Sequence, residues 1–202
     1  MLEVLTCSET SPQNSRIVQA LTDEQLVERI RVDQGHSFAQ LYHRYKHRVY
    51  AYCYRLLRHP QNAEDATQET FIKVHRSLHQ LEDAAMLRTW IFSIARNEAF
   101  TILRRVRPTE ELAKATEEIW DEDSPLERVV KQERSEIVQH CLSLLRPVYR
   151  EILILREYEQ LSYSEIARVT GSTESAVKSA LFKARKAISR KVESILKGRD
   201  EQ

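Results

Sequence analysis

A helix, a tight turn and a second, basic helix are written into residues 161–191, LSYSEIARVTGSTESAVKSALFKARKAISRK. Ser162 followed three residues later by Glu165 is a capping box, in which each side chain satisfies a free backbone donor at a helix start. Ala167, Gly171 and Val177 fall where a helix-turn-helix needs a small residue for close approach, a glycine for the turn and a β-branched plug between the helices. Val177, Leu181, Ala184 and Ile188 form one apolar stripe at helical spacing. Lys178, Lys183, Arg185, Lys186, Arg190 and Lys191 occupy the other face. Against them from Ser172 to Lys191 stands one acid, Glu174. A basic helix presented by such a turn is built to enter a DNA major groove.

Composition sets the remaining bounds. Of 202 residues, 30% are charged and three are glycine, and long alternating apolar runs are lacking, so the chain is expected to be all-α. Net charge is +1, which makes the basic helix a local patch, the quantity that matters for nucleic-acid binding. Cys7, Cys53 and Cys141 have neither Cys-x-x-Cys nor Cys/His spacing and read as reduced thiols, so neither a metal nor a cofactor is expected. No stretch reaches about 18 apolar residues, and MLEVLTCSETSPQNSR lacks a basic-then-apolar signal pattern. A cytoplasmic protein is expected.

Four segments follow along the chain. Residues 1–21 read as a flexible polar tail. Residues 22–106 read as one helical domain: Asp23 and Glu24 suit a first helical turn, Leu26 to Leu56 supply apolar positions interrupted at Gly35, and Pro60 ends that run. A helix over 61–78 should bury Ala63, Ala66, Thr70, Phe71 and Val74, and another over 86–105 should carry Trp90, Ile91, Ile94, Ala95, Ala99 and Ile102. Residues 107–136 hold ten acidic against five basic residues with prolines at 108 and 125, and read as an acidic linker. Residues 137–197 restart a helical core at Leu142, Leu145, Val148, Ile152, Leu153 and Leu155 and run into the helix-turn-helix. The fold expected is therefore two small helical domains joined by a flexible acidic tether.

The stretches NAEDATQETFIKVHRSL and RTWIFSIARNEAFTILRR resemble the core-binding and promoter-opening region of bacterial sigma factors, in their extracytoplasmic-function group. Glu64, Asp65, Gln68, Glu69 and Phe71 match one motif of that family, and Thr89, Trp90, Ile91, Ile94, Ala95 and Asn97 a second. The carboxy-terminal LSYSEIA and the run from Ser175 to Arg185 resemble its promoter-reading domain. The resemblance covers roughly residues 22–105 and 137–192. It implies an initiation factor with no catalysis of its own, whose partners are core RNA polymerase through its β and β′ subunits, promoter DNA, and in many members an anti-sigma factor.

Residue chemistry divides the labour. Asp65, Gln68, Glu69 and Arg76 lie on the face of their helix opposite Phe71 and Val74. Phosphates would repel such an acidic face, so it is either simply solvated or a protein contact, and the resemblance assigns it to the β′ clamp helices. On the following helix, arginines suit phosphates, Asn suits adenine and aromatics suit unpaired bases. With the loop over 81–87, the resemblance makes Arg88, Trp90, Arg96, Asn97, Phe100 and Arg104 the minus-ten surface, with core packing the other reading of Trp90. At the carboxy-terminal end it makes Ser172, Thr173, Glu174, Ser175, Lys178, Ser179, Phe182, Lys183, Arg185 and Lys186 the minus-thirty-five surface. Lys178 and Ser175 sit near the helix start, where base edges are reached, while Arg185 and Lys186 suit phosphates.

Two departures stand out. The loop reads LEDAAMLRTW, without the Phe-x-Gly that family members often carry, so its pocket should either prefer a different base or grip less tightly. His36 stands where an acid is common, and no role attaches to it. The two DNA elements would lie about two helical turns apart, roughly 70 Å, within the ~100 Å that some thirty extended residues span, so no rigid contact between the domains is required. A different function remains open on these residues, a helix-turn-helix regulator with a helical sensing or dimerisation domain that binds duplex half-sites as a dimer. An enzyme does not fit, because P-loop, metal-ligand and nucleophile motifs are all missing.

Overall fold

The computed structural model describes residues 21–32, 34–105 and 138–200; the tail over 1–20 and the acidic linker lie outside the described residues. Among the described residues there is no strand, and no helix is long and apolar enough to cross a membrane. Two helical domains are present. The first holds α1 (Asp23–Val32), α2 (Gln34–Leu57), α3 (Pro60–Ser77) and α4 (Leu87–Arg105). The second holds a short helix α5 over 138–143, then α6 (Pro147–Leu153), α7 (Tyr163–Thr170) and α8 (Glu174–Asp200).

Local chemistry sets the boundaries. Thr22 and Gln25 cap α1 reciprocally: the Gln25 N–H donates to Thr22 Oγ1 at 3.3 Å and the Thr22 N–H to Gln25 Oε1 at 3.0 Å. Asp23 then ties α1 to α2 through the Arg44 guanidinium at 2.7 Å and the Tyr45 hydroxyl. Arg58 leaves α2 at φ 60°, and His59 caps α3, its Nδ1 accepting from the Asn62 N–H at 3.3 Å with Pro60 in the first turn. The inner face of α3 is as the spacing predicts, Ala63, Ala66, Thr70, Phe71 and Val74 all being buried. Two 3₁₀ turns, Leu78–Gln80 and Ala84–Met86, carry the chain into α4 with Leu81 and Leu87 buried.

In the second domain a π-helical stretch, Ile154–Tyr158, follows α6 directly. Gln160 at φ 54° and a bond from the Leu161 N–H to the Leu155 carbonyl at 3.0 Å then bring the chain to α7. The buried Arg150 binds this domain's entry. It donates to the carbonyls of Leu142 at 3.0 Å, Ser143 at 2.7 Å and Leu145 at 3.2 Å. Burial, with Arg58 nearby, pushes its pKa down to about 10. Val148, expected in the core, is exposed instead; it lies in the first turn of α6 beside Pro147, ahead of the buried run that begins at Arg150.

The domains also touch, a contact that the tether did not require. Arg150 donates to the Leu56 carbonyl of α2 at 2.6 Å, α7 lies along α4, and one continuous apolar core runs from Leu26 to Ala184.

Candidate nucleic-acid and polymerase interfaces

The helix-turn-helix forms as its residues dictate. Ser162 Oγ accepts from the Glu165 N–H at 3.2 Å while Glu165 Oε2 accepts from the Ser162 N–H at 2.7 Å, which completes the capping box. Gly171 sits at φ +64°, and the Ser172 N–H donates to the Ala167 carbonyl at 2.9 Å, closing α7 with the left-handed cap that favours glycine. A Cβ at Gly171 would meet nothing within 4 Å, so backbone conformation alone asks for glycine there. Val177, Leu181 and Ala184 are buried and Ile188 packs beside them.

Ser172, Thr173, Glu174, Ser175, Lys178, Ser179, Phe182, Lys183, Arg185 and Lys186 are all exposed on the turn and on the outer face of α8. Thr173 also caps α8, its Oγ1 accepting from the Ala176 N–H at 3.2 Å. Ser172 Oγ bonds Thr170 Oγ1 at 2.7 Å, and Arg185 pairs with Glu157 at 2.8 Å. Phe182 is 69% exposed. It borders a groove of ≈ 480 Å³ with Tyr163, Lys178 and Lys186. An apolar ring among cations is suited to a thymine methyl flanked by phosphates.

On the first domain, Asp65, Gln68, Glu69 and Arg76 share the exposed face of α3. The structure adds an apolar companion that spacing did not single out. Phe38, Tyr42, Phe71, Ile72 and His75 join Gln68 and Arg76 around a groove of ≈ 540 Å³. Ile72 and Tyr42 are 41% and 39% exposed. An isoleucine on the charged side of α3 was the signal available in the sequence.

The residues of α4 are brought together, and several of them are engaged. Asn97 and Arg104 are exposed, and Phe100 is half-buried beneath the Arg96 guanidinium, 4.6 Å from its ring centre. Trp90 is half-buried against the core. Arg88 pairs with Glu165 of α7 at 2.6 Å, and Arg96 approaches Glu151 of α6 at 2.7 Å. Glu165 thus uses one oxygen for its own helix start and the other for Arg88. Burial works to raise its pKa, but the Ser162 N–H and Arg88 outweigh it and hold the carboxyl below its ordinary value. A third pair, Arg48 with Glu159 at 2.8 Å, lies nearby. Arg168 of α7 reaches Met86 Sδ, in the loop before α4, at 2.7 Å.

Comparison with known proteins matches both parts. Residues 41–109 match Sigma-70 region 2 and residues 135–188 match Sigma-70 region 4. The chain is 31% identical over 185 residues to RNA polymerase sigma-H factor of Pseudomonas aeruginosa, covering 87% of this chain and 96% of that one. It is 30% identical over 190 residues to the ECF RNA polymerase sigma-E factor of Escherichia coli K12, covering 89% and 98%. Among solved structures, CnrH in complex with the cytosolic domain of CnrY shares the fold at a TM-score of 0.65 and 21% identity, over 85% of this chain and 97% of that one. The sigma factor RpoE in complex with the anti-sigma factor NepR from Bartonella quintana does so at 0.64 and 21% identity, over 77% and 96%. With both regions matched in order, and with relatives aligned over nearly their whole length, the chain belongs to the extracytoplasmic-function sigma factors and directs transcription initiation as an alternative sigma factor.

Proposed function

We propose that the chain binds core RNA polymerase through the outer face of α3, melts promoter DNA with α4 and reads the minus-thirty-five element with α8. The observation that carries this reading is the division of surface chemistry within one chain. An acidic and apolar strip on α3 stands apart from an arginine-rich, aromatic α4 and from a basic α8. Gln68 and Arg76 line the Tyr42–Ile72 groove, and Asp65 and Glu69 are exposed on the same helix, polar groups beside apolar anchors of the kind that protein contacts use. Arg88, Arg96 and Arg104 would hold the non-template strand, Asn97 and Phe100 would take unpaired bases, and Trp90 would support them from the core. The linker over 107–136 would avoid duplex DNA and follow the basic path by which RNA leaves the enzyme. Anti-sigma factors are a partner class that the solved complex of RpoE with NepR brings into view. The work of such a factor lies inside the cell, in the cytoplasm.

Transcription in vitro with purified core polymerase tests the reading. Promoter-specific transcripts should require both the chain and core, and the chain alone should bind promoter duplex weakly. Tight binding to a palindromic duplex without core, and without any stimulated initiation, would instead establish a helix-turn-helix regulator.

A further inference from the structure

Glu98 is the one acid of α4, set among Arg88, Arg96, Arg104 and Arg105. An unpaired carboxylate beside Asn97 would repel the phosphates that the arginines attract. The fold turns it aside. Lys73 of α3 reaches Glu98 Oε1 at 2.6 Å, and Glu98 is 13% exposed against 50% for Lys73. Whereas Arg88 and Arg96 pair with the second domain, Glu98 ties α4 inside its own.

Bonds within α4 order the residues around it. Thr101 Oγ1 donates to the Asn97 carbonyl at 2.7 Å, and Arg104 Nη2 donates to Thr101 Oγ1 at 3.2 Å. Such bonds turn with the helix and do not fix its rotation about its own axis; a pair to a neighbouring helix does. Successive residues of a helix point about 100° apart, so drawing Glu98 onto α3 leaves Asn97 facing outward, where it is exposed. Lys73 follows Glu69 by one helical turn on α3, and its carbonyl accepts from Ser77 Oγ at 2.6 Å. It therefore stands at the seam between the exposed α3 row and α4.

We infer that Glu98 is a positioning residue of promoter opening, held by Lys73 so that α4 presents Asn97, Phe100 and Arg104 to the unpaired strand. The inference rests on the reading of α4 as the melting helix.

The variants Lys73→Met, Glu98→Gln and the exchange Lys73→Glu/Glu98→Lys test it, each as the full chain with core polymerase. The template is a promoter that the wild-type holoenzyme transcribes, with 2-aminopurine in the non-template strand of its minus-ten element. At saturating holoenzyme the fluorescence rate reports the opening step itself, whereas a loss of folded chain lowers only the amplitude. Both single variants should open roughly fivefold more slowly, and the exchange should return the rate toward wild type. Charge alone makes a different forecast: Lys73→Met, which loses a cation, would slow opening, and Glu98→Gln, which loses an anion, would speed it. Rates that follow net charge overturn the inference. Single variants that open like wild type overturn it too, as does an exchange that opens no faster than either single variant.

An Asn97→Ala/Phe100→Ala chain measured beside them separates the two readings. Slow opening by that chain, with unchanged Lys73 and Glu98 variants, rejects the positioning role and leaves α4 as the melting helix. Wild-type opening by that chain removes the α4 reading and the positioning role with it.

Discussion

Glu151 is the residue whose environment most departs from that of an ordinary side chain of its type. Its Oε1 lies 2.7 Å from Arg96 Nε and accepts from the Tyr52 hydroxyl at 3.3 Å, while its buried Oε2 has no hydrogen-bond partner. Burial raises its pKa to about 7, with Arg96 and Tyr52 pulling in the opposite direction. A carboxyl raised in the closed form holds its proton there more tightly than in the open or unfolded chain. Glu151 therefore favours closure at low pH, and that contribution is lost as pH rises from its ordinary 4.5 through about 7, by up to about 1.4 kcal/mol per pH unit. Burial shifts Glu159 in the same direction, while Glu165 is shifted oppositely, so that its contribution is present above the ordinary carboxyl range and is lost only as pH falls below it. Scattering from the free chain should show expansion between pH 5.5 and pH 8, and Glu151→Gln should flatten that response. An unchanged pH response in the variant would assign the effect elsewhere. Arg150 poses the opposite case, a buried cation serving four carbonyls. Arg150→Ala should lower stability in urea by about 3 kcal/mol, since the carbonyls lose their donors. Lysine should not restore it, because a point charge cannot reproduce the guanidinium fork.

Helix α7 shows what a local rule is worth within an element. Ser162→Ala removes the acceptor for the Glu165 N–H and should cost about 1 kcal/mol, read as a lower urea midpoint with an unchanged slope. The capping box, the left-handed Gly171 and the Val177–Leu181–Ala184 stripe were legible because each depends on residues a few positions apart. The inner face of α3 was legible for the same reason, its burial following a single period, whereas on α4 the expected Trp90, Ile94 and Ile102 are only half-buried and the fully buried Leu87 and Phe92 lay outside the expected stripe. Elements whose geometry depends on distant partners were not. The apolar run from Ile152 to Leu155 gives no sign that the helix widens to a π turn, yet that widening leads directly to the position where Glu159 meets Arg48, 111 residues away in sequence. Val148 followed the apolar pattern and is exposed, since it falls in the first turn of α6, before the helix enters the core at Arg150. At the site, the exposed rows of α3 and α8 could be read from charge alone. Engagement of Arg88 and Arg96 could not, because an arginine poised for phosphate and one paired with a distant carboxylate have the same local sequence.

For the molecule as a whole, the contact between the domains engages α4 and leaves the outer face of α3 open. The α3 helix packs against α2 and α4, while Gln68, Glu69 and Arg76 face solvent beside the Tyr42–Ile72 groove. On the reading proposed above, core polymerase can engage the α3 face with the domains packed together, while Arg88 and Arg96 of α4 are already paired with Glu165 and Glu151. The proposed polymerase and DNA surfaces should separate genetically. Gln68→Ala with Glu69→Lys places a cation where an acid stood and removes an amide beside it, without touching any buried group of α3. That double variant should lose co-purification with core polymerase while keeping the helical circular dichroism, the urea midpoint and the scattering profile of the free chain. Reversals at Arg48 or Glu159 should leave core binding within a factor of about 3, since those residues lie off the α3 face. Wild-type recovery of core by the Gln68→Ala/Glu69→Lys chain would place the polymerase contact elsewhere on the first domain. Loss of core binding in the Arg48 and Glu159 variants would show that the α3 face and the contact between the domains act as one.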